Sequence, residues 1–464
     1  MSSNRELHST RLGTTDEKGR RIMPQPDDVN GKWKNRRSLF YTFLIAVYLI
    51  LPWIYVDGKQ WVLLNIPKRE FTLFGHIFHA YDSIYLIFVL LGFMLLIAFI
   101  TSVWGRAWCG WACPQTVFID QIYRKIERFV EGNARKRKAL NRSPISFEKI
   151  FKKFSKWFLY LVVSLHIVHS FLGYFVGTRN LVNISFQAPS ENWFLFVTML
   201  ILTGITLFDF GWFREQFCII ACPYGRFQSV LMDENSLVVA YDEKRGEPRR
   251  NVAKAPGEEG DCIDCFKCVK VCPTGIDIRR GTQMECIACT MCIDACDEIM
   301  RKMKRPEGLI KYTSEKELTG QKRKVGIRSF VYLSLLVVVM AGAVVGLSKR
   351  SSIKAQFLRM PGPPFTKIVE DEKELYINRF ETKVQVIGRK GRTLSVESMD
   401  SNVEIVSGQL PLLISKDRES FVIFVKFKKQ LLKNGVLSLP LKLIVRDGDS
   451  VEETMTEVGI VGPL

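Results

Sequence analysis

Cysteine is missing from both ends of this 464-residue chain, and all 12 cysteines lie between residues 109 and 296. Residues 1–38 contain no apolar run, so we expect no cleavable signal peptide. A secreted disulfide scaffold would be short and would spread its cysteines through the fold, which excludes that class. Clustered cysteines in a long chain favour metal binding by reduced thiols.

Long apolar runs are prominent, because the 47% of hydrophobic residues are concentrated in stretches of about 20 residues. Helices of this length cross about 30 Å of hydrocarbon, which excludes a soluble enzyme with a single core. Tryptophans lie near several ends of these runs, as at the interfaces of a bilayer. The sequence predicts five transmembrane helices, at Leu39–Val56, Ile84–Val103, Trp157–Val176, Trp193–Phe213 and Ile327–Leu347.

The charges between these runs predict their orientation. Lysine and arginine number nine in residues 1–37 and 13 in 105–156, against one in 177–192. By the positive-inside rule, the basic segments and residues 214–326 face the cytoplasm, and 349–464 lies in the periplasm of a bacterium. The net charge of +19 is therefore attributed to topology and contact with membrane lipid, and we expect no nucleic-acid partner.

The strongest motif is C-x2-C-x2-C-x3-C, which occurs twice in residues 262–296. This spacing is typical of ferredoxins with two [4Fe–4S] clusters, in which the fourth cysteine of each run binds the other cluster. Zinc motifs usually separate their cysteine pairs by a dozen or more residues, so two zinc sites are the weaker interpretation. The predicted ligands are Cys262, Cys265, Cys268 and Cys296 for the first cluster, and Cys286, Cys289, Cys292 and Cys272 for the second.

A second motif, C-x3-C-P, is repeated 109 residues apart at Cys109/Cys113 and Cys218/Cys222. Each copy follows a predicted span that returns to the cytoplasmic side, so the membrane domain contains two related helical hairpins. Cysteines at i and i+4 would share a helical face, and the proline would begin a new helix. Soft thiolates bind Cu(I), zinc or iron–sulfur clusters. The alternative is that these four are buried structural cysteines.

Two histidines lie within the third predicted span. His166 and His169 are at i and i+3, so they share a face, and polar residues inside a membrane are functional candidates. They could bind a quinol, a haem or copper, or form hydrogen bonds between helices. The chain has no C-x-x-C-H haem-attachment sequence, and no glycine-rich nucleotide-binding sequence follows a strand.

From about Glu374 onward, short apolar or alternating segments separated by turn residues predict an Ig-like β-sandwich. This region has no cysteine, histidine or tryptophan, which favours an interaction module. The chain is thus predicted to be a multi-domain membrane protein. Its expected parts are a cytoplasmic tail (1–38), a four-helix membrane domain (39–230), a cytoplasmic ferredoxin-like domain with two [4Fe–4S] clusters (231–326), a fifth transmembrane helix (327–348) and a periplasmic Ig-like domain (349–464).

The order of these parts resembles the CcoG family of cytochrome c oxidase accessory proteins, also called the FixG/Rdx family of membrane-bound polyferredoxins. The resemblance implies a bacterial inner-membrane protein that reduces Cu(II) to Cu(I) for assembly of a cbb-type cytochrome c oxidase. It implies copper as the substrate or bound ion, and oxidase assembly factors or a copper transporter as partners. Copper binding and reduction would fall to Cys109, Cys113, Cys218 and Cys222.

Two other functions stay open. One is a quinol-oxidising membrane ferredoxin similar to the NapH type, with quinol at His166 and His169 and electrons passed to a redox partner. The other is an assembly scaffold whose clusters serve folding alone. The sequence does not identify the electron donor, nor whether the four C-x3-C-P thiols meet within one chain or across a homodimer.

Overall fold

The computed structural model describes residues 24–56, 58–67, 70–74, 76–79, 82–250, 259–348, 353–370, 373–386, 392–414, 418–432, 435–447 and 450–463. The chain forms two compact units, Met1–Ala343 and Val344–Leu464. The first unit contains every cysteine, and the second is built from β-strands.

Four helices in the described part of the chain are long and apolar enough to cross a membrane: Ile84–Trp104, Phe147–Val176, Trp193–Phe213 and Ile327–Ser348. They confirm four of the five predicted spans as long apolar helices. The third predicted span, Trp157–Val176, lies in a longer helix, Phe147–Val176, because the basic ten-residue segment before it continues the same helix. The fourth predicted span, Trp193–Phe213, consists of the α-helix Trp193–Thr206 and the π-helix Leu207–Phe213.

The first predicted span differs from the prediction. The helix runs from Lys32 to Ile50, and a 3-10 turn containing Pro52 ends it. The helical part beyond Arg37 is only about 20 Å long, short of the roughly 30 Å of a hydrocarbon core. Its end packs on the Phe147–Val176 helix, where the Tyr48 hydroxyl donates to the carbonyl of Ile167 at 2.8 Å. Proline, which cannot continue a helix, explains the early end.

The remaining elements of the first unit are short. Strands pair in three small antiparallel sheets: Tyr55–Val56 with Lys59–Gln60; Val62–Asn65, Glu70–Leu73 and His76–His79; and Val238–Tyr241 with Ile310–Thr313. The other described helices, α, π and 3-10 together, are Ser83–Trp104 (which contains the second predicted span), Ala107–Trp111, Pro114–Phe118, Ile119–Tyr123, Arg124–Glu131, Ala134–Arg142, Thr178–Ser185, Phe217–Ala221, Pro223–Leu231, Glu243–Gly246, Lys267–Lys270, Ile278–Arg280, Met291–Lys302 and Glu315–Leu318.

Buried ion pairs join the two helical hairpins. Arg124, which follows the first C-x3-C-P motif, contacts Glu215 at 2.5 Å, and Arg214 contacts Glu127 at 2.7 Å. Glu215 and Arg214 directly precede the second motif, so each hairpin supplies one acid and one base. Buried charges are tolerated only when they are paired, and these two reciprocal pairs therefore fix how the hairpins meet.

The second unit consists of two antiparallel sheets that share one apolar core. One sheet contains Val403–Val406, Arg418–Phe427, Lys373–Val386 and Ile353–Arg359 in that order, with Thr366–Glu370 also paired to Lys373–Val386. The other contains Leu412–Leu413, Thr393–Ser398, Val436–Asp447 and Ser450–Val461. Fully buried Ile423 and Leu443 contribute to the core from the two sheets. The predicted β-rich region is confirmed, and its Ig-like character stays a prediction.

Replacing Glu127 with Gln is expected to lower the free energy of unfolding by about 3 kcal/mol, because Arg214 and Arg137 lose a buried partner. Burial alone would raise the pKa of Glu127, but these arginines and Lys156 lower it to about 2. The ion pairs therefore stabilise the fold fully above the usual carboxyl pKa near 4.5 and progressively less as the pH falls toward 2.

Thermal unfolding of the detergent-solubilised protein measures this loss. The exposed Glu148→Gln change, which removes an i,i+4 pair with Lys152, is the matched control and should leave stability nearly unchanged. Equal effects of the two changes at pH 7 would contradict the role assigned to Glu127.

Candidate metal centres and their connection

The eight ferredoxin-motif cysteines line two adjoining cavities. The first cluster site is lined by Cys262, Cys265, Cys268 and Cys296. The second cluster site is lined by Cys272, Cys286, Cys289 and Cys292, and touches Cys268 where the cavities adjoin. Each set of four is the one that the spacing predicts, with the fourth cysteine of each run crossing to the other site.

The backbone of the two cysteine runs repeats every 24 residues. Asp264 and Phe266 have positive φ angles of 56°, and their counterparts Ala288 and Thr290 have φ angles of 51° and 61°. Such angles are uncommon outside glycine, and alternating them turns successive N–H groups toward one side of a loop. The Ala288 N–H accordingly donates to the Cys286 thiol. Spacing alone does not predict this duplicated loop conformation.

The donor set of each cavity fits a [4Fe–4S] cluster, since four thiols surround a space lined mainly by apolar side chains. In the described part of the chain, no three Cys, His, Asp or Glu side chains converge as the ligands of a single ion do. A four-iron cluster is larger than an ion, so its ligands surround a cavity instead. Cys265 is exposed whereas Cys289 is buried, which places the first cluster site nearer to the surface.

Asp297 follows the second cysteine run at the position that Pro273 occupies after the first. The helix Met291–Lys302 continues through Asp297, whose carboxylate accepts the Gly308 N–H at 2.9 Å. A proline here would interrupt the helix. The departure from the first run therefore supports a longer helix that carries Cys292 and Cys296.

The two C-x3-C-P motifs have the same local structure, which differs from the predicted one. Cys113 and Cys222 are extended and lie just beyond the helical turns that contain Cys109 and Cys218. Their N–H groups donate five residues back, to Trp108 at 2.9 Å and to Phe217 at 2.8 Å.

The predicted α-helical turn is therefore replaced by one that is one residue wider, and the second cysteine of each motif lies beyond the helix. The predicted role of the prolines is confirmed, since Pro114 and Pro223 each begin the next helix.

These four cysteines, here called the thiol site, lie close together within one chain. Burial raises the pKa of Cys109 to about 12, and the neighbouring Cys113 and Cys222 add to the shift. Burial also raises the pKa of Cys218, with contributions from the other three thiols. Free thiols of Cys109 and Cys218 are therefore protonated at neutral pH, and metal binding to them would release protons. The side chains do not converge on one point in the described chain, and coordination would require them to rotate.

A buried glutamine lies against the thiol site. The Cys109 thiol donates to Gln228 Oε1 at 3.3 Å, and Gln228 is completely buried. Its Nε2 has no hydrogen-bond partner among the described residues. A half-turn of the amide would direct Nε2 at the sulfur, where a thiolate accepts the hydrogen bond that a thiol does not. The donors of this site are therefore fully satisfied when Cys109 is a metal thiolate, and the residues fit a soft metal ion.

The thiol site and the second cluster site are in direct contact. A Cβ atom on Gly110 would lie 2.6 Å from the carbonyl oxygens of Ile287 and Ala288, so only glycine permits this approach. Cys109 and Cys218 pack against the apolar cluster that contains Cys289. The loop of the second cluster site thus rests on the first C-x3-C-P motif.

The N-terminal helix Lys32–Ile50 holds this contact from one side. The Arg37 guanidinium, 1% exposed, donates to the Cys289 carbonyl and to Asp120, and the Tyr41 hydroxyl donates to the Gly110 carbonyl. Residues four apart lie on one helical face, so a single turn contacts both metal sites. In the sequence, Arg37 stands out only as one of the basic residues before the first apolar run, because its partners are 83 and 252 residues away.

The structure does not bring His166 and His169 to either site. His166 is exposed on its span, and the adjacent cavity is lined instead by Ile167, Val168 and Phe171. This cavity has a volume of about 470 Å³ and reaches Ala112 and Pro114, on either side of Cys113. Its lining is apolar except for Tyr48 and Thr206.

Comparisons with known proteins agree with these features. A family model described as a 4Fe-4S dicluster domain matches residues 213–315, and one described as a 4Fe-4S binding domain matches 86–133 and 191–233. The two segments matched by the second family model contain one C-x3-C-P motif each. No solved structure is significantly similar to the chain.

Three curated relatives are similar over about two thirds of the chain. Protein RdxA of Cereibacter sphaeroides is 37% identical over 69% of this chain and 70% of its own length. Protein RdxB of the same organism is 37% identical over 72% of each chain. Nitrogen fixation protein FixG of Rhizobium meliloti is 39% identical over 64% of this chain and 58% of its own length.

Apolar membrane helices, the cysteine runs and these matches define a membrane-bound iron–sulfur protein of electron transfer. Within that class, the chain belongs to the FixG/Rdx family, as its sequence predicts.

The ligand assignment is tested by iron analysis of combined variants. In a Cys286→Ser/Cys289→Ser background, the second cluster should be lost and about four of about eight irons retained. Adding Cys272→Ser should remove no further iron, because this residue serves the cluster already lost. Adding Cys296→Ser should instead bring the iron content close to zero. The reverse pattern would show that the fourth cysteines do not cross between the sites.

Proposed function

We propose that the protein reduces Cu(II) to Cu(I) at the thiol site, for assembly of a cbb-type cytochrome c oxidase. The observation that carries this proposal is the contact between Gly110 of the thiol site and the loop of the second cluster site. A bound [4Fe–4S] cluster supplies one electron at a time, which is the requirement for cupric-ion reduction. The thiol site then retains the product, because thiolates prefer the cuprous ion.

The chain's own residues account for each stage. Exposed Cys265 marks the edge of the first cluster site where a reduced one-electron donor protein can approach. Gly110 allows the second cluster site to approach the thiol site closely, and Gln228 donates to Cys109 once that residue is a thiolate. Each Cu(II) takes up one electron, and the protons of the coordinating thiols pass to solvent.

The proposed setting is the bacterial inner membrane, with the ferredoxin-like domain cytoplasmic and the second unit periplasmic. The basic segments support this orientation. The Thr178 hydroxyl, just beyond the Phe147–Val176 helix, donates to the carbonyl of Pro52 at 3.1 Å, so the ends of these two helices lie on the same side of the membrane domain. The second unit is proposed to contact oxidase assembly factors or a copper transporter.

Replacing Cys113 and Cys222 together with Ala should abolish copper binding and Cu(II) reduction, since two of four soft ligands are removed. Anaerobic metal analysis and a Cu(I)-chelator assay with dithionite-reduced protein measure the two effects. The iron content should stay at about eight per chain. The His166→Ala/His169→Ala variant is the control and should retain both copper and activity, because these histidines lie outside the site.

Two outcomes would contradict the copper proposal. Copper binding and reduction that survive in the double cysteine variant would remove the thiol site from the reaction. Loss of about four irons in that variant, from a starting content of about twelve, would show that the thiol site holds a third iron–sulfur cluster. The family model that matches both motifs is described as binding such a cluster, so a third iron–sulfur cluster is the main alternative to copper at the thiol site.

A second candidate function, quinol oxidation, is favoured by the apolar cavity beside Cys113. Its volume of about 470 Å³ suits a ring-shaped lipid-soluble ligand. Asp209 lies one residue from cavity-lining Phe210 and accepts a hydrogen bond from Gln115 at 2.9 Å. A quinol there would give two electrons to the clusters and two protons to Asp209 and solvent. The site proposed here replaces His166 and His169, which lie outside the cavity.

Filling this cavity by Leu202→Trp should slow cluster reduction by a short-chain quinol at least tenfold, measured as bleaching of the iron–sulfur absorbance. Leu200→Trp is the control, because Leu200 is half exposed on the same helix and does not line the cavity. Equal rates in the two variants, or no bleaching by quinol in the unchanged protein, would rule out quinol oxidation at this site.

A further inference from the structure

The N-terminal helix places one buried cation at the backbone of a cluster ligand. Arg37 donates through one nitrogen to the carbonyl of Cys289 and through another to Asp120 at 2.5 Å. The ring of Tyr41 lies 5.4 Å from the guanidinium carbon, within the range of a cation–π contact. A charged group is thereby fixed beside the second cluster site and removed from water.

The charge of Arg37 is only partly neutralised. Asp120, its carboxylate partner, also contacts Lys34 at 3.6 Å and Arg124 at 3.1 Å, so three cations share one acid here. Arg124 has a second partner in Glu215, which leaves an excess of positive charge around Asp120. Buried Asp294, whose carboxylate accepts the N–H groups of Trp33 and Lys34 at 3.1 and 2.7 Å, offsets part of this excess. Arg106 adds a positive charge through its hydrogen bond to the Cys286 carbonyl at 3.2 Å, so cations still outnumber acids around the second cluster site.

The same helical turn holds the thiol site against this loop. Tyr41 donates to Gly110, which packs on the carbonyls of Ile287 and Ala288. The Tyr312 hydroxyl, whose ring contacts Trp33 of the same N-terminal helix, also donates to the Ala288 carbonyl at 3.1 Å. These hydrogen bonds together fix the gap between the two metal sites.

We propose that Arg37 is a positioning residue that raises the reduction potential of the second cluster, and that Tyr41 and Gly110 set the gap across which this cluster exchanges electrons with the thiol site. A buried positive charge stabilises the form of the cluster that carries the additional electron. The second cluster is therefore the electron donor to the thiol site, and the first cluster receives electrons at the surface. The claim that the thiol site accepts the electron rests on the proposed function. The effect of Arg37 on the reduction potential of the second cluster does not.

Redox titration of the iron-loaded protein, followed by EPR, tests the effect of charge. Arg37→Gln should lower the potential of one of the two clusters, shifting its reduced-to-oxidised ratio about tenfold, or about 59 mV for a one-electron couple. Arg37→Lys, which keeps the charge, should restore most of the potential. Arg36→Gln, one residue away and exposed, is the matched control and should shift neither cluster.

Asp120→Asn provides a test of opposite sign. It removes the counter-charge of Arg37 while keeping its shape, so the same cluster should become easier to reduce. Equal shifts of both clusters, or a shift in the same direction in Arg37→Gln and Asp120→Asn, would indicate general loosening and overturn the proposal. If Arg37→Gln does not retain iron, the comparison of Asp120→Asn with the unchanged protein decides the sign alone.

The gap is tested by stopped-flow reoxidation of the reduced clusters with Cu(II). Gly110→Ala should slow reoxidation about 10- to 100-fold, because its methyl group forces the thiol site away from the loop. Gly204→Ala is the control, since a Cβ there meets no atom within 4 Å. Tyr41→Phe should also slow reoxidation at unchanged potentials, whereas Tyr174→Phe, which loses a similar bond to the Tyr48 carbonyl, should not.

The outcomes separate this proposal from the proposed function. If Cu(II) reoxidises neither the variants nor the unchanged protein, the copper proposal fails while the charge effect on the potential is still measured. If Cu(II) reoxidises Gly110→Ala and Gly204→Ala at the same rate, the copper reaction stands and the proposed gap is wrong.

Discussion

Two reciprocal ion pairs, Arg124 with Glu215 and Arg214 with Glu127, join the two helical hairpins of the membrane domain where charged side chains are buried between them. Removing charges from water costs several kcal/mol per ion, and good geometry is needed to offset this cost. The pairs therefore permit one arrangement of the two hairpins. Because each pair joins the segment after one motif to the segment before the other, that arrangement brings four thiols from distant parts of the chain to one place.

Local patterns account for what the sequence predicts well. Iron ligation needs thiols at fixed intervals around one loop, so the spacing of Cys262 to Cys296 indicates the cluster sites without knowledge of the rest. Apolar runs of about 20 residues similarly indicate their own helices, and four of these are present. The repeat of C-x3-C-P predicts that two hairpins are related, although each turn is one residue wider than the predicted α-helical turn.

Contacts between distant residues account for what the sequence does not predict. Arg37 and Asp120 lie 83 residues apart, and neither position carries a local signal that it belongs to a metal site. The sequence around Gly110 likewise gives no signal of its role, since that role depends on the distant loop at Ile287 and Ala288 that packs on it. Histidines attract attention as metal ligands, yet His166 is exposed while an apolar surface lines the nearby cavity. Side-chain chemistry indicates which residues could act, and packing decides which residues meet.

The basic residues around the first helix show how one pattern can have two physical causes. Lysine and arginine before an apolar run indicate the cytoplasmic side by their cost of crossing lipid. Arg37, Arg124 and Arg214 belong to such segments, yet each is buried and contacts a carboxylate. Some of the positively charged residues are therefore buried in ion pairs that join the metal sites to the membrane domain. The first helix, Lys32–Ile50, begins among these ion pairs, and the turn at Pro52 ends it before it is long enough to cross a bilayer.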